Sequence, residues 1–497
     1  MSPSIDPAAA WLPLPASQWD AAAARHLLRR AGWTARPAET ERAVKEGLAA
    51  TLDRLFPLQP APLAMPAAVT QLRADSPAIL QGLEGAKDEM EGRRRRQEAR
   101  ERSQAVLQDL SLAWLNYAAQ PDTAAFAKWV LFLSDVYVVG IEKVKNTVLV
   151  ADHYQRLARH AYGPAPELTK AVSRSPAMVV YLDLNQNRRD APNENFAREL
   201  FELFVLGEGN YREVDIKEAA RAFTGYRQRL GEFRIAERQH DSGPKTVFGE
   251  TGRFGGDDVI DLAYRQPAAA TFLPHELVKF YLTDQPLPPE LLVPLGNEWR
   301  RRNFHLRELA RLFFGSRLFF APEYRGDYIK SPVQLYLGLV QDLDLDVTPL
   351  ARSALAPLRQ MGQVLFFPPN VRGWVGGRIW INSGTLAARR QLVESLFRPL
   401  REEALNADEQ RALAAARTSG PKRFTVDPDR FTDLAALDAP AAADRLLDEF
   451  LALPATAPFC ERVRGFLASN PGDATHRVQR LRRAAVILLQ SPEYQLC

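Results

Sequence analysis

The spacing of apolar residues constrains this chain more than any other feature. From residue 17 to residue 397 one amphipathic helical pattern follows another, punctuated by Pro and Gly rather than by strand-like alternation. The pattern predicts helices over 17–31 behind a Ser cap, over 39–56 with Val44, Leu48, Leu52 and Leu55 on one side, and over 83–120 as a long charged helix ending in an apolar stretch at Leu110 to Trp114. Residues 123–140 are mostly apolar and are expected to be buried. Helices are also expected at 152–161, 167–173, 176–184, 195–206, 215–223, 257–264, 268–283, 288–302, 305–315, 332–342, 350–360 and 383–397, with a Pro-, Gly- and Trp-rich loop at 366–382. In 195–206 the core face is Phe196, Leu200, Leu203, Phe204 and Val205.

Only 224–256, rich in Gly and Arg, reads as a small β-hairpin or sheet excursion. The expected fold class is therefore all-α, a large multi-helix domain carrying that excursion. The expected organisation is a main helical domain over 1–416, a linker at 417–430, and C-terminal helices over 431–497 packing on the main domain.

At 497 residues the chain can bury a large core without covalent staples. Two cysteines, Cys460 and Cys497, exclude a disulfide framework and a Cys-based metal centre. The net charge is only +4 and no uniformly basic face is evident, which argues against nucleic acid as a partner. The dense basic run Arg93 to Arg96, with Arg100 and Arg102, is interleaved with Glu91, Glu98 and Glu101 and reads as a solvated, ion-paired helix. No apolar run reaches ~18 residues, so no membrane span is expected. The N-terminal residues lack a basic region and a continuous apolar region, so cytoplasm is the default expectation, with export alongside a partner left open.

Polar residues concentrate in 183–261, and two readings are open there. Asp183, Asn185, Asn187 and Glu194 stand at positions 1, 3, 5 and 12 of a loop between helices, the spacing that surrounds a calcium ion with oxygens. Arg188 occupies the place where such a loop needs Gly for its sharp turn; the alternative is an Asx-rich turn with Asn193 capping the next helix. The second reading is a carboxylate cluster. Glu194, Arg198 and Glu202 share one stripe of the 195–206 helix, Asn195, Glu199 and Glu202 an adjacent one, and Glu208 follows at the exit. Carboxylates so placed serve either as acid and base across a cleft or as a row of ion pairs, Glu194 with Arg198 and Arg198 with Glu202.

His240 and Asp241 precede Ser242, Gly243, Pro244 and Lys245 in a polar turn, a suitable place for acid–base chemistry. His26 lies on the first helix, and His153 and His160 share a helix face. Trp374, Trp380 and Asn382 offer aromatic stacking and amide hydrogen bonds, the chemistry that recognises a glycan; a loop capping the core is the competing reading. No zinc-protease helix, nucleophile elbow, dinucleotide fingerprint or phosphate loop is present.

A further set of motifs carries a resemblance. HLLRRAGW (26–33), SRSPAMVVYLD (173–183), PNENFARELFELFVLGEGNY (192–211), DIKEAARAFTGY (215–226), HDSGPKTVFG (240–249), GDDVID (256–261), KSPVQL (330–335), MGQVLFFPPNVRGWVGGRIWINS (361–383) and SPEYQL (491–496) together resemble the bacterial family called domain of unknown function 1800, over nearly the whole chain. The resemblance implies a mostly helical protein without an assigned reaction. It also implies a partner: members are often encoded beside the domain of unknown function 1501 family, which is similar to alkaline phosphatase and sulfatase-like enzymes. Many members carry Trp-His-Asn-His-Phe where this chain, after Lys128 and Phe132, has Leu133, Ser134, Asp135, Val136 and Tyr137. Ser134 and Val136 thus replace a histidine pair. The chain is then a divergent or inactive member, or Asp135 acts in place of the histidines.

The expected function is a carboxylate- or metal-assisted hydrolase or transferase acting on a glycan or other polymer. Its expected catalytic groups are Glu194, Glu199, His240, Asp241 and His26; its substrate contacts are Asn193, Arg198, Lys245, Trp374, Trp380 and Asn382. The cofactor is left open, with calcium at Asp183, Asn185, Asn187 and Glu194 as one candidate. The alternative is a non-catalytic partner or scaffold for a phosphatase- or sulfatase-like protein.

Overall fold

The computed structural model describes residues 5–469 and 473–497. Residues 1–4 of the N-terminal stretch, and 470–472 within the helical C-terminal stretch, lie outside the described residues.

Among the described residues the protein is 63% helical, and the sheets are two small two-stranded antiparallel ones. The fold is mostly all-α, with the excursion where Gly and Arg interrupt the helical pattern. That excursion is two successive hairpins: Tyr226–Arg229 pairs with Glu232–Ile235, and Lys245–Val247 pairs with Glu250–Gly252.

The helix Pro121–Val136 lies at the centre. Apolar on nearly every side, it is buried from Ala124 to Val136 except at Ser134 and Asp135. Helices Ala21–Ala31, Pro37–Leu55, Glu89–Ala119, Thr147–His160 and Ala269–Tyr281 pack around it. Trp129 donates its indole N–H to the Ala161 carbonyl at 2.8 Å. Lys128 donates to the Arg30 and Gly32 carbonyls at 2.8 Å each, so its ammonium closes the C-terminal end of Ala21–Ala31. The main apolar core is continuous from Ala10 to Tyr494 and includes side chains from the C-terminal helices. Leu350, Leu405 and Leu413 form a small separate cluster.

Several elements differ from the sequence expectation, each for a local reason. The first helix starts at Ala21, because Asp20 rather than Ser17 supplies the cap: its carboxylate accepts from the Ala23 amide at 2.8 Å. The helix Ala67–Glu84, with Pro77 inside it, forms ahead of the long helix expected from 83, over residues for which no element was expected. The stretch 195–206 is not one regular α-helix. Asn195–Glu199 is α-helical, and Leu200–Val205 continues as a π-helix in which the Leu206 amide reaches the Phe201 carbonyl at 2.9 Å.

Candidate functional site

The 183–194 loop ties together protein elements. Asp183 stands in the left-handed region, φ 59°, and its Oδ2 accepts from Lys143 Nζ at 2.7 Å and from Asn195 Nδ2 at 3.3 Å. Asn185 Oδ1 accepts from the Gln228 amide at 3.1 Å. Asn187 is buried; its Oδ1 accepts from the Asn193 amide at 2.9 Å, and its Nδ2 donates to the Ala220 carbonyl at 2.8 Å. Glu194 Oε2 accepts from Arg198 at 3.2 Å. Each of the four residues offered for calcium therefore has a side-chain oxygen that takes a protein donor, in Asp183 a lysine ammonium. Among the described residues no group of three or more His, Cys, Asp or Glu is placed to hold a metal ion. Asn193 Oδ1 accepts from the Asn195 amide at 2.9 Å, the Asx-type turn that was the alternative reading.

The π-helical turn divides the carboxylates. Of the two expected ion pairs, Glu194 with Arg198 forms; Arg198 with Glu202 does not. Arg198 instead reaches Glu213 at 2.8 Å, and Glu202 takes Arg372 at 2.6 Å and the Tyr211 hydroxyl at 2.9 Å. Glu199 is half-buried, and burial, followed by the Glu202 charge, raises its carboxyl above the usual range.

The polar turn at 240–245 clamps the hairpins to the helix Glu213–Ala222. His240 Nδ1 meets the Thr224 carbonyl at 2.8 Å, and Asp241 Oδ2 accepts from Arg221 Nε at 2.7 Å. Lys245, buried, donates to the carbonyls of Asp241 at 2.5 Å and Gly243 at 3.0 Å. Burial alone would raise the Asp241 carboxyl, but Arg221 and the Gly243 amide hold it below its ordinary value. His26 lies apart from this turn. It is buried, its ring tilted against Phe319 with centroids 4.6 Å apart, and its Nε2 donates to the Phe319 carbonyl at 2.9 Å; burial keeps the ring neutral. The expected catalytic set thus occupies separate neighbourhoods: Glu199 beside Glu202, His240 with Asp241 at the hairpin clamp, and His26 against Phe319.

A different set of residues does converge. An open cavity of about 500 Å³ is bounded by Glu202, Phe272, His275, Glu276, Lys279 and Arg372. It shares Asp135, Val136, Glu276, Lys279 and Val375 with a small inner chamber of about 40 Å³. Trp374 and Trp380 line that chamber together with Trp33, Lys128, Tyr328 and Gln363. Two of the expected substrate contacts are therefore in the cleft. Asn382 is not among its lining residues; it caps the helix Ser383–Phe397, accepting from the Thr385 amide at 3.0 Å.

Asp135 is the focus of this cleft. It lies in the last turn of the central helix, where the helix dipole disfavours a negative charge. Its Oδ1 accepts from the Trp374 amide at 2.7 Å. Although the residue keeps partial exposure, the packing around it desolvates the carboxyl and pushes it up to about 7; the Trp374 amide and the Lys279 charge pull the other way, and the Glu276 charge adds to the rise. Gly373, φ 71°, makes the approach possible, because a Cβ there would run into the Asp135 side chain. Behind this contact, Trp374 is 8% exposed and its indole Nε1 has no hydrogen-bond partner among the described residues. Lys128 is also deeply buried, and burial draws its ammonium down to about 7. Both of its carbonyl acceptors belong to the first helix end, so it acts as a strut of the chamber wall.

The two positions flanking Asp135 face different spaces. Val136 lines the cleft, whereas Ser134 lines a chamber behind Trp374 that also holds His153. His153 is engaged on both ring nitrogens, by Ser175 Oγ at 3.0 Å and the Tyr137 carbonyl at 2.9 Å. Sequence reasoning marked Asp135 only as a stand-in for the missing histidines and did not identify Glu276 or Lys279. The available signal was Asp135 itself, a lone carboxylate inside an otherwise apolar run.

A larger cavity, about 1140 Å³, lies between the N-terminal residues and the helices Pro289–Arg301 and Leu306–Phe314. Its charged rim is self-paired, Arg301 and Arg302 with Glu298 and Arg302 with Glu308, so it offers less chemistry than the smaller cleft.

No curated protein and no solved structure matches the chain. The blocks at 26–33, 330–335 and 361–383 each place a residue on the inner chamber, Trp33, Gln334 and Trp374 among them. A family model spans those blocks, matching residues 26–496, and the chain belongs to that family, described as Protein of unknown function (DUF1800).

Proposed function

We propose that the Asp135 cleft is an active site for carboxylate-assisted hydrolysis or group transfer on a glycan or other polymer. One observation carries the reading: a carboxyl at the foot of a cleft, desolvated, held on one oxygen by the Trp374 amide, beneath a wall of two tryptophans. A carboxyl titrating near neutrality is matched to proton transfer, because an appreciable fraction is protonated and able to donate while the rest is able to accept. Glu276, ion-paired with Lys279 at 3.5 Å, adds a second carboxylate to the same cleft. Buried Trp374 and Trp380 wall the inner chamber beside the carboxyl, and the unpartnered Trp374 N–H is enclosed there. Glu202 and Arg372 at the outer bay present a charged rim for hydroxyl groups.

The test is a screen of polysaccharides and glycosides for release of reducing ends, repeated with Asp135→Asn. Turnover by wild type that falls at least about 100-fold in Asp135→Asn supports the acid–base role. Equal turnover by the two proteins removes Asp135 from the mechanism.

A second reading has an observation of its own. The 183–261 block is occupied by its own hydrogen bonds, and by the family resemblance Ser134 and Val136 stand where many relatives have histidines. A scaffold for a phosphatase- or sulfatase-like partner of the domain of unknown function 1501 family would need no more. Co-purification with such a partner, unaffected by Asp135→Asn and without turnover in the screen, would favour it.

A further inference from the structure

Two glutamines on the wall of the inner chamber have no part in the acid–base reading of Asp135. Gln334, 2% exposed, stands near the start of the helix Pro332–Asp342, and its Nε2 donates to the Arg29 carbonyl at 3.1 Å. Gln363, 3% exposed, follows the helix Ala351–Gln360, and its Oε1 accepts from the Val333 amide at 3.0 Å. These backbone partners fix which end of each amide is oxygen and which is nitrogen. The other ends, Gln334 Oε1 and Gln363 Nε2, take no protein partner among the described residues, and neither does Asp135 Oδ2. Unlike the Trp374 indole N–H, none of these three atoms is sealed off; each keeps accessible surface. All three residues line the chamber. A buried amide end without a partner is costly, so the chamber is where a partner is to be found.

Size limits what that partner is. A volume of about 40 Å³ holds on the order of one to three waters. Pockets that seat an organic ligand run to roughly 300 Å³ or more, so a polymer unit fits the outer bay of about 500 Å³ and not the chamber. The polar set also matches water. Gln363 Nε2 offers a donor, while Gln334 Oε1 and Asp135 Oδ2 offer acceptors, and about three partners is usual for a buried water.

We infer that the inner chamber is the water site of the Asp135 cleft, and that the reaction is hydrolysis, with water and not a second polymer chain as the acceptor. The inference rests on the acid–base reading of Asp135. With both hydrogens directed to oxygens and one lone pair taken by Gln363, the second lone pair is left for the carbon of a scissile C–O bond in the bay. Asp135, as carboxylate, takes a proton from the water as the new C–O bond forms. That proton passes to the departing oxygen as the old bond breaks. The elements of water are added across the bond, and Asp135 ends as it began. Gln334 and Gln363 position the water and exchange no proton with it.

Three measurements test this. The first needs no turnover: crystal structures of wild type and of Asp135→Asn should both show an ordered water within about 3.2 Å of Gln334 Oε1 and Gln363 Nε2. A chamber closed by side chains, or without that water, overturns the proposal. The second runs the reaction in oxygen-18 water with an excess of sugar acceptor. Labelled reducing ends without transfer product are expected; transfer as the main outcome overturns the proposal. In the third, Gln363→Met should lower kcat at least about tenfold and leave KM nearly unchanged, because substrate sits in the bay. Gln334→Met attacks the same water from the other side and serves if Gln363→Met does not fold; unchanged kcat in the folded variant overturns the positioning role. Water present in both crystals, with Asp135→Asn turning over like wild type, refutes the acid–base reading and leaves the water site standing.

Discussion

The 183–261 block and the Asp135 cleft are both polar regions in a helical protein, yet their polar atoms meet opposite fates. In the block, Asn187 uses both ends of its amide on backbone groups, Asp241 is bound by Arg221 and the Gly243 amide, and Lys245 sits on two carbonyls. In the cleft, polar groups are fewer, but the Trp374 indole N–H is unpartnered and the Asp135 carboxyl is displaced to about 7. Density of polar residues along a sequence therefore reports how much backbone a loop must satisfy. Reactivity follows from groups held away from their preferred partners.

The contrast can be broken at either end. The largest effect is expected from Asp135→Asn, which keeps the acceptor for the Trp374 amide but removes the titrating proton. Activity should fall at least about 100-fold in any assay where wild type turns over. Stability should change in the opposite sense. A carboxyl raised in the folded state stabilises fully below its unfolded value near 4, and that contribution is lost as pH rises through about 7. Chemical denaturation at pH 8 should therefore find Asp135→Asn more stable than wild type, by roughly 1–2 kcal/mol after solvent relaxation, and the gap should close toward pH 4. A variant less stable at pH 8 would show that the carboxylate is satisfied there.

Asn187→Ala should do the reverse. It leaves the Ala220 carbonyl and the Asn193 amide without their partner, costing roughly 2–4 kcal/mol by denaturant titration, with activity per folded molecule unchanged. Loss of activity without loss of stability would return function to the 183–194 loop. Gly373→Ala should cost about 2 kcal/mol, from the positive φ and the collision with Asp135, and should lower activity by displacing Trp374. Glu194→Gln should be nearly silent, within about 0.5 kcal/mol, because its pair with Arg198 is 35% exposed on both sides. Added chelator should leave both Glu194→Gln and wild type unchanged in melting temperature if Lys143 and the backbone amides are the partners of this loop.

Helix identity was legible wherever the apolar face and its cap agreed. Ser383–Phe397 matches its expected bounds because Asn382 caps it and Pro399 follows it closely. Ala67–Glu84 carried no expectation; Pro66 opens the helix and tertiary packing tolerates Pro77 inside it. The π-helical turn at Leu200–Val205 was hidden: periodicity alone placed Arg198 and Glu202 on one stripe, and the extra residue in the turn separates them. Of the candidate site, Trp374 and Trp380 were legible from their loop. Glu276 and Lys279 were not, because they lie on an ordinary amphipathic helix, Ala269–Tyr281, and reach Asp135 only through tertiary packing.

The approach of Gly373 and Trp374 to Asp135 makes the loop and the carboxyl a single unit. The loop supplies both the amide that favours the charged form and part of the cover that disfavours it, and cover is the stronger influence. Lifting the loop would wet the carboxyl and release its proton; closing it would take a proton up. The protonation state of Asp135 is thus a gauge of loop position, readable by infrared or NMR titration of one side chain.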